Sequence, residues 1–170
     1  EPGFNEVVMT DVYVPDELVL GELGMGWTQN TSELAYERGG PDRWLSTYGV
    51  VEEFLREHDG TPLGSRAREM LGWATARWWT LRNLSLSVAR MIDDGQAPSV
   101  ESSLVKEMGT RFEQDVTERV LQLIDLEPSP ESASLFERML AAAVLTGPSF
   151  TIRGGTVEIL RSVASKGLQA

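Results

Sequence analysis

Three breaks, Asp59-Gly-Thr-Pro62, Gly95-Gln-Ala-Pro98 and Glu127-Pro-Ser-Pro130, cut this chain into long segments whose apolar residues recur at helical spacing. In the segment from Leu63 to Asp94 the repeat runs through Leu71, Ala74, Trp78, Leu81, Ser85 and Val88. The segment before it, from about Trp27 to Arg56, contains Gly39-Gly-Pro41. Proline removes a backbone donor and disfavours helical geometry in the residue before it, so a kink or break is predicted there. The third segment follows Ser99, read as its cap, with Ser102 in place of the Glu or Gln of a capping box, and carries Leu104, Met108, Phe112 and Val116 on one stripe. The fourth runs from Glu131 to about Thr146, and a short last helix from Thr156 to Lys166. This order predicts a mainly α fold, a four-helix up-and-down bundle.

The front of the chain reads differently. Phe4-Asn-Glu-Val-Val-Met-Thr-Asp-Val-Tyr-Val-Pro15 alternates and is rich in β-branched residues, which predicts a strand, and Leu20-Gly-Glu-Leu-Gly-Met-Gly-Trp27 follows as a glycine-rich turn into the first helix. A strand-like fragment of about two dozen residues cannot satisfy its own edges, so it is expected to pair with a sheet not contained in the chain. The chain therefore reads as truncated.

Composition narrows the chemistry. With no cysteine there is no disulfide or thiolate chemistry, and the single histidine, His58, lies in a turn with nothing to build a metal site around it. A formal net charge of −11 with scattered basic residues argues against nucleic acid. No run is long enough to cross a membrane and no signal sequence opens the chain, which makes the cytoplasm the expected location.

A second glycine pair carries a ligand signal. In Ser149-Phe-Thr-Ile-Arg-Gly-Gly-Thr-Val-Glu-Ile-Leu-Arg161 the glycines end one helix and open the next. Gly154 and Gly155 allow close backbone approach, Thr156 can cap the helix behind it, and the first amides of that helix are left pointing outward, an arrangement suited to a phosphate or diphosphate.

That stretch resembles the C-terminal motif of the acyl-CoA dehydrogenases, and the N-terminal phrases from Phe4 to Pro15 and Leu20 to Trp27 resemble the end of the same family's middle β-domain. The resemblance implies that residues 1–24 close the β-domain and its linker and that residues 25–170 form the C-terminal helical bundle domain. It implies FAD as cofactor, held at its diphosphate and adenosine by Gly155, Thr156, Val157 and Glu158, and an acyl-CoA thioester as substrate. Such enzymes remove an α-proton while a hydride leaves the β-carbon for the flavin, and pass the electrons to an electron-transfer flavoprotein or similar acceptor. Without the rest of the enzyme the chain alone is expected to be inactive.

The α-proton requires a carboxylate base with the right reach and environment. Most members of the family carry it just before the Gly-Thr pair, where this chain has Gly154. A minority place it on the first helix of the domain, immediately before an arginine, and Glu37-Arg38 matches that alternative. The resemblance therefore assigns Glu37 as the base and puts Arg38, with Tyr36 beside it, on the acyl-CoA side. On the residues alone, Glu37 is an ordinary surface carboxylate and Arg38 an ion-pair partner for Glu33 or Asp42, although the like charges of Glu33 and Glu37 one turn apart call for a cationic or buried neighbour.

Two family motifs are absent. An Arg-x-x-Phe-Gly after the first helix and a Gln-x-x-Gly-Gly-x-Gly after the third reach across a subunit interface to a partner's FAD; here those places hold Leu63-Gly-Ser-Arg-Ala-Arg-Glu-Met70 and Leu121-Gln-Leu-Ile-Asp-Leu-Glu127. The pattern suits a subunit of the bacterial type that pairs unlike dehydrogenase chains, with a homo-oligomer as the other possibility. A noncatalytic assembly subunit of such a pair is the alternative function. Trp73, Trp78 and Trp79 are read as packing residues, and Glu107/Arg111 and Asp115/Arg119 as surface pairs.

Overall fold

The computed structural model describes residues 5–168. Six α-helices follow in order: α1 (Gly26–Arg38), α2 (Tyr48–Glu57), α3 (Ser65–Asp93), α4 (Ser99–Leu121), α5 (Leu135–Thr146) and α6 (Val157–Gly167). Short 3-10 turns occupy Asp16–Leu18, Pro41–Arg43 and Gly147–Thr151. The break expected at Gly39-Gly-Pro41 is where the first long segment divides into α1 and α2. Pro41 takes the first position of the intervening 3-10 turn, where its missing N–H costs nothing.

α4 runs through the middle of the bundle and packs against α1, α3, α5 and α6. The apolar core links Val51 and Phe54 of α2, Met70 and Leu81 of α3, Phe112 and Val116 of α4, and Phe136 and Leu140 of α5. Phe54 stacks on Phe136, and Trp73 and Trp78 both meet Phe112 with ring centroids 5.4 Å apart. These two tryptophans are therefore packing residues, as read from the sequence, whereas Trp79 is exposed. Arg119 lies over the Trp73 ring, its guanidinium 4.2 Å from the centroid, in place of the surface pair expected with Asp115.

Three expectations are corrected. Residues 5–14 form no strand; Val7, Val8 and Tyr13 are 77%, 77% and 84% exposed, because a strand needs a neighbour to accept its hydrogen bonds and none lies among the described residues. Phe4 falls outside them. Ser99 is not a cap but the first residue of α4, and its carbonyl accepts from the Ser103 and Ser102 hydroxyls at 2.6 and 3.3 Å. The buried stripe of α4 is also rotated: Phe112 and Val116 are buried, but Leu104 and Met108 are partly exposed, and Val105 and Val120 take their place.

The rotation follows from a close approach. A Cβ added to Gly109 would stand 2.3 Å from the Arg43 carbonyl oxygen and 3.1 Å from the Trp44 Cβ, so α4 meets the α1–α2 connection backbone to backbone at a position only glycine fits. We expect Gly109→Ala to destabilise the protein by about 1–3 kcal/mol, since a rigid carbonyl must be displaced. Urea unfolding midpoints measure this, and an unchanged midpoint would show that the connection yields freely.

Candidate functional site

The end of α1, the turn after it, the buried face of α4 and the glycine pair before α6 converge on one point. Arg38 is buried, and its Nε donates to the Gly154 carbonyl at 2.7 Å. Glu37, the residue before it on the helix, is partly exposed and ion-paired to Arg43, whose Nε also donates to the Glu37 carbonyl at 3.2 Å. The cation that the Glu33 and Glu37 repulsion called for is thus Arg43. Arg43 also meets Asp42 at 3.1 Å, leaving Arg38 free to hold the loop.

Gly154 and Gly155 have φ values of 71° and 111°, a region unfavourable to any residue with a Cβ. A Cβ built on Gly154 would lie 2.9 and 3.1 Å from the two Glu37 carboxylate oxygens. The two places from which a carboxylate could be delivered, helix α1 and the loop before α6, therefore share one volume, and Glu37 fills it.

The loop is held from beneath by residues that no local sequence pattern marks out. Lys106 of α4 is 0% exposed and donates to the carbonyls of Phe150 at 3.0 Å and Gly155 at 3.1 Å; the Thr110 hydroxyl donates to the same Phe150 carbonyl at 3.2 Å. Burial, followed by the neighbouring charges of Arg43, Arg153 and Arg38, lowers the Lys106 ammonium to about 8, with Glu37 acting in the opposite sense. Glu113, also 0% exposed, accepts the Ser46 amide at 2.7 Å and pairs with Arg153. Its carboxyl is raised by burial, against the opposing effects of Ser46 and Arg153. The available signal was that Lys106 and Glu113 stand seven residues apart, two turns along one face of a helix that is otherwise buried there.

Thr156 caps α6, accepting the Ile159 amide at 3.3 Å as the motif predicted. The amides of Gly155, Thr156, Val157 and Glu158 find no acceptor among the described residues. Below them four cations (Arg38, Arg43, Lys106 and Arg153) face two carboxylates (Glu37 and Glu113), and the Arg153 Nε is buried without a partner. A cluster of cations packed behind a helix start, in a chain of net charge −11, suits a polyanionic ligand such as a diphosphate.

Tyr36 is 58% exposed and borders an apolar cavity of about 850 Å³ between α1, α2 and α3, lined also by Gly40, Trp44, Tyr48, Trp78 and Trp79. The cavity and the Glu37 carboxylate flank the same helix end. Among the described residues no cluster of three or more metal-ligating side chains occurs, and no helix is long and apolar enough to cross a membrane.

Comparison with known proteins identifies the family. Residues 24–169 match the family described as acyl-CoA dehydrogenase, C-terminal domain. Over 165 residues the chain is 30% identical to the acyl-CoA dehydrogenase FadE34 of Mycobacterium tuberculosis (strain ATCC 25618 / H37Rv), covering 97% of this chain and 22% of that protein. The chain thus spans about a fifth of that relative's length. Among solved structures, the Tcur3481-Tcur3483 steroid ACAD G363A variant superposes with a TM-score of 0.73 at 24% identity, over 92% of this chain and 43% of that one, a likeness of fold.

Proposed function

This chain belongs to the acyl-CoA dehydrogenase family, as its C-terminal helical domain, and we propose from that premise that it contributes the base and one half of the flavin-binding surface to an enzyme oxidising an acyl-CoA thioester. The observation that carries this reading is the convergence of Glu37 on Gly154. The family's common base position is glycine here, and the carboxylate of the neighbouring helix stands in its place.

In this reading Glu37 takes the α-proton of the thioester. Arg43, bonded to both its carboxylate and its backbone carbonyl, fixes where that carboxylate stands. When bound, FAD would supply the hydride acceptor, and the amides of Gly155, Thr156, Val157 and Glu158 would hold its diphosphate. Tyr36 and the apolar cavity beside it favour a bulky acyl group over a slender one, in keeping with a structural neighbour that is a steroid ACAD variant. Arg38 serves the site through the Gly154 carbonyl, not as an exposed contact to substrate.

The absence of Arg-x-x-Phe-Gly and of Gln-x-x-Gly-Gly-x-Gly supports pairing with an unlike dehydrogenase subunit that supplies the other half of the cofactor site, and it also favours the alternative of a noncatalytic assembly subunit. Coexpression separates the two. We expect the complete protein alone to be flavin-poor, and its complex with a partner dehydrogenase to carry FAD and to depend on Glu37. A homo-oligomer with one FAD per chain would refute the pairing, and a flavin-loaded complex indifferent to Glu37 would establish the assembly role.

A further inference from the structure

We propose that Lys106 is a positioning residue for the cofactor diphosphate: from within the core it holds the Gly155 carbonyl inward and so turns the Thr156 amide, at the start of α6, outward to the ligand. The inference rests on the reading of the α6 start as the diphosphate site. A trans peptide sets its C=O and N–H on opposite sides. When Lys106 holds the Gly155 carbonyl, the Thr156 amide must face away from α4; when Arg38 holds the Gly154 carbonyl, the Gly155 amide must face away from α1. Two buried cations thereby aim two successive amides, at glycines whose positive φ values make that backbone accessible.

A purely structural role explains Lys106 poorly. Its ammonium donates to two carbonyls before α6 and to no carboxylate, and the charges acting on it are Arg43 from the turn after α1, Arg153 from the turn before α6, Arg38 from α1, and the single opposing Glu37. Glu113, on Lys106's own helix, is taken up by Arg153 and Ser46. For stability alone an apolar side chain serves better at a site with no exposure and surplus positive charge. An anion bound above the amides supplies the missing compensation.

Protonation gives a readout that packing alone does not. An anion favours the charged lysine, so cofactor affinity should weaken as pH rises through about 8, where the ammonium loses its proton. The test measures FAD binding by flavin fluorescence, with inorganic pyrophosphate as competitor, from about pH 6.5 to about pH 9.5, in the complete protein with its partner subunit. The wild type should lose about tenfold in affinity across that range, and Lys106→Met should bind about tenfold more weakly at neutral pH with a flat profile. Glu37→Gln should move the break to lower pH, because Glu37 is the charge that raises Lys106.

A wild-type profile without a break near 8 overturns the proposal even where Lys106→Met fails to fold. So does Lys106→Met binding FAD like the wild type with the same pH dependence. Failure of the wild type to bind FAD or pyrophosphate at any pH removes the diphosphate site itself, and the role of Lys106 with it.

Discussion

Replacing Glu37 with glutamine in the flavin-loaded complex should lower the rate of flavin reduction by acyl-CoA by a factor of roughly a thousand or more, with flavin content unchanged. Glutamine keeps the shape and most of the contacts to Arg43 but accepts no proton. The amides of Gly155 to Glu158 stand on a different element, so cofactor binding near neutral pH is not expected to fall with the base. Anaerobic stopped-flow absorbance at the flavin band measures the step. Near-normal reduction would remove Glu37 from the mechanism and leave the assembly role standing. Gly154→Glu in the Glu37→Gln background asks whether the same volume accepts a carboxylate from the loop. The positive φ of Gly154 opposes it, so partial recovery is the most that the backbone allows.

The second large effect is on stability. Arg153→Met leaves Glu113 as a buried carboxylate with only Ser46 to satisfy it, and should cost about 3–5 kcal/mol near pH 8. The pH dependence has a definite sign. Burial already raises the Glu113 carboxyl in the folded state, and loss of Arg153 raises it further, so the folded protein takes up a proton more readily than the unfolded chain. The group therefore disfavours folding as pH rises from the ordinary carboxylate range through its raised folded value, and the defect of Arg153→Met should shrink as pH falls. Urea midpoints at about pH 5 and about pH 8 test this; a defect of equal size at both would show that Glu113 is not an uncompensated charge in the variant. Adding Glu113→Met should restore much of the loss, because the buried charge goes with its partner.

The features legible in the sequence were those set by local rules. Gly39-Gly-Pro41 had to break the first helix, Ala74, Leu81 and Val88 had to face the core, and Thr156 had to cap α6, because each follows from backbone geometry or from the helical repeat. Glu37 and Gly154, more than a hundred residues apart, were linked only through the family resemblance; their meeting is a tertiary fact. What stayed hidden depends on packing between elements. α4 is enclosed on several sides, so its apolar repeat is diluted by Ser102, Lys106, Gly109 and Glu113, and the stripe chosen from Leu104 and Met108 was displaced by about one residue. Lys106 cannot be told from a surface lysine by its neighbours in the chain, because nothing there shows that the carbonyls of Phe150 and Gly155 will arrive above it. Arg43 was likewise hidden in a turn, although the repulsion between Glu33 and Glu37 indicated that such a cation was needed. Glu107 was read as a local partner of Arg111, yet it also accepts from Arg161 of α6 at 2.9 Å and so ties the two helices together.

The central claim is that one point in this domain unites the base and the cofactor's anion site. A structure of the complete complex with FAD and an unreactive acyl-CoA analogue tests it most directly. The account predicts diphosphate oxygens within hydrogen-bond distance of the amides of Gly155 to Glu158, and the Glu37 carboxylate directed at the analogue's α-carbon beside Gly154. A diphosphate bound away from the start of α6, or an α-carbon facing a carboxylate other than Glu37, would contradict it.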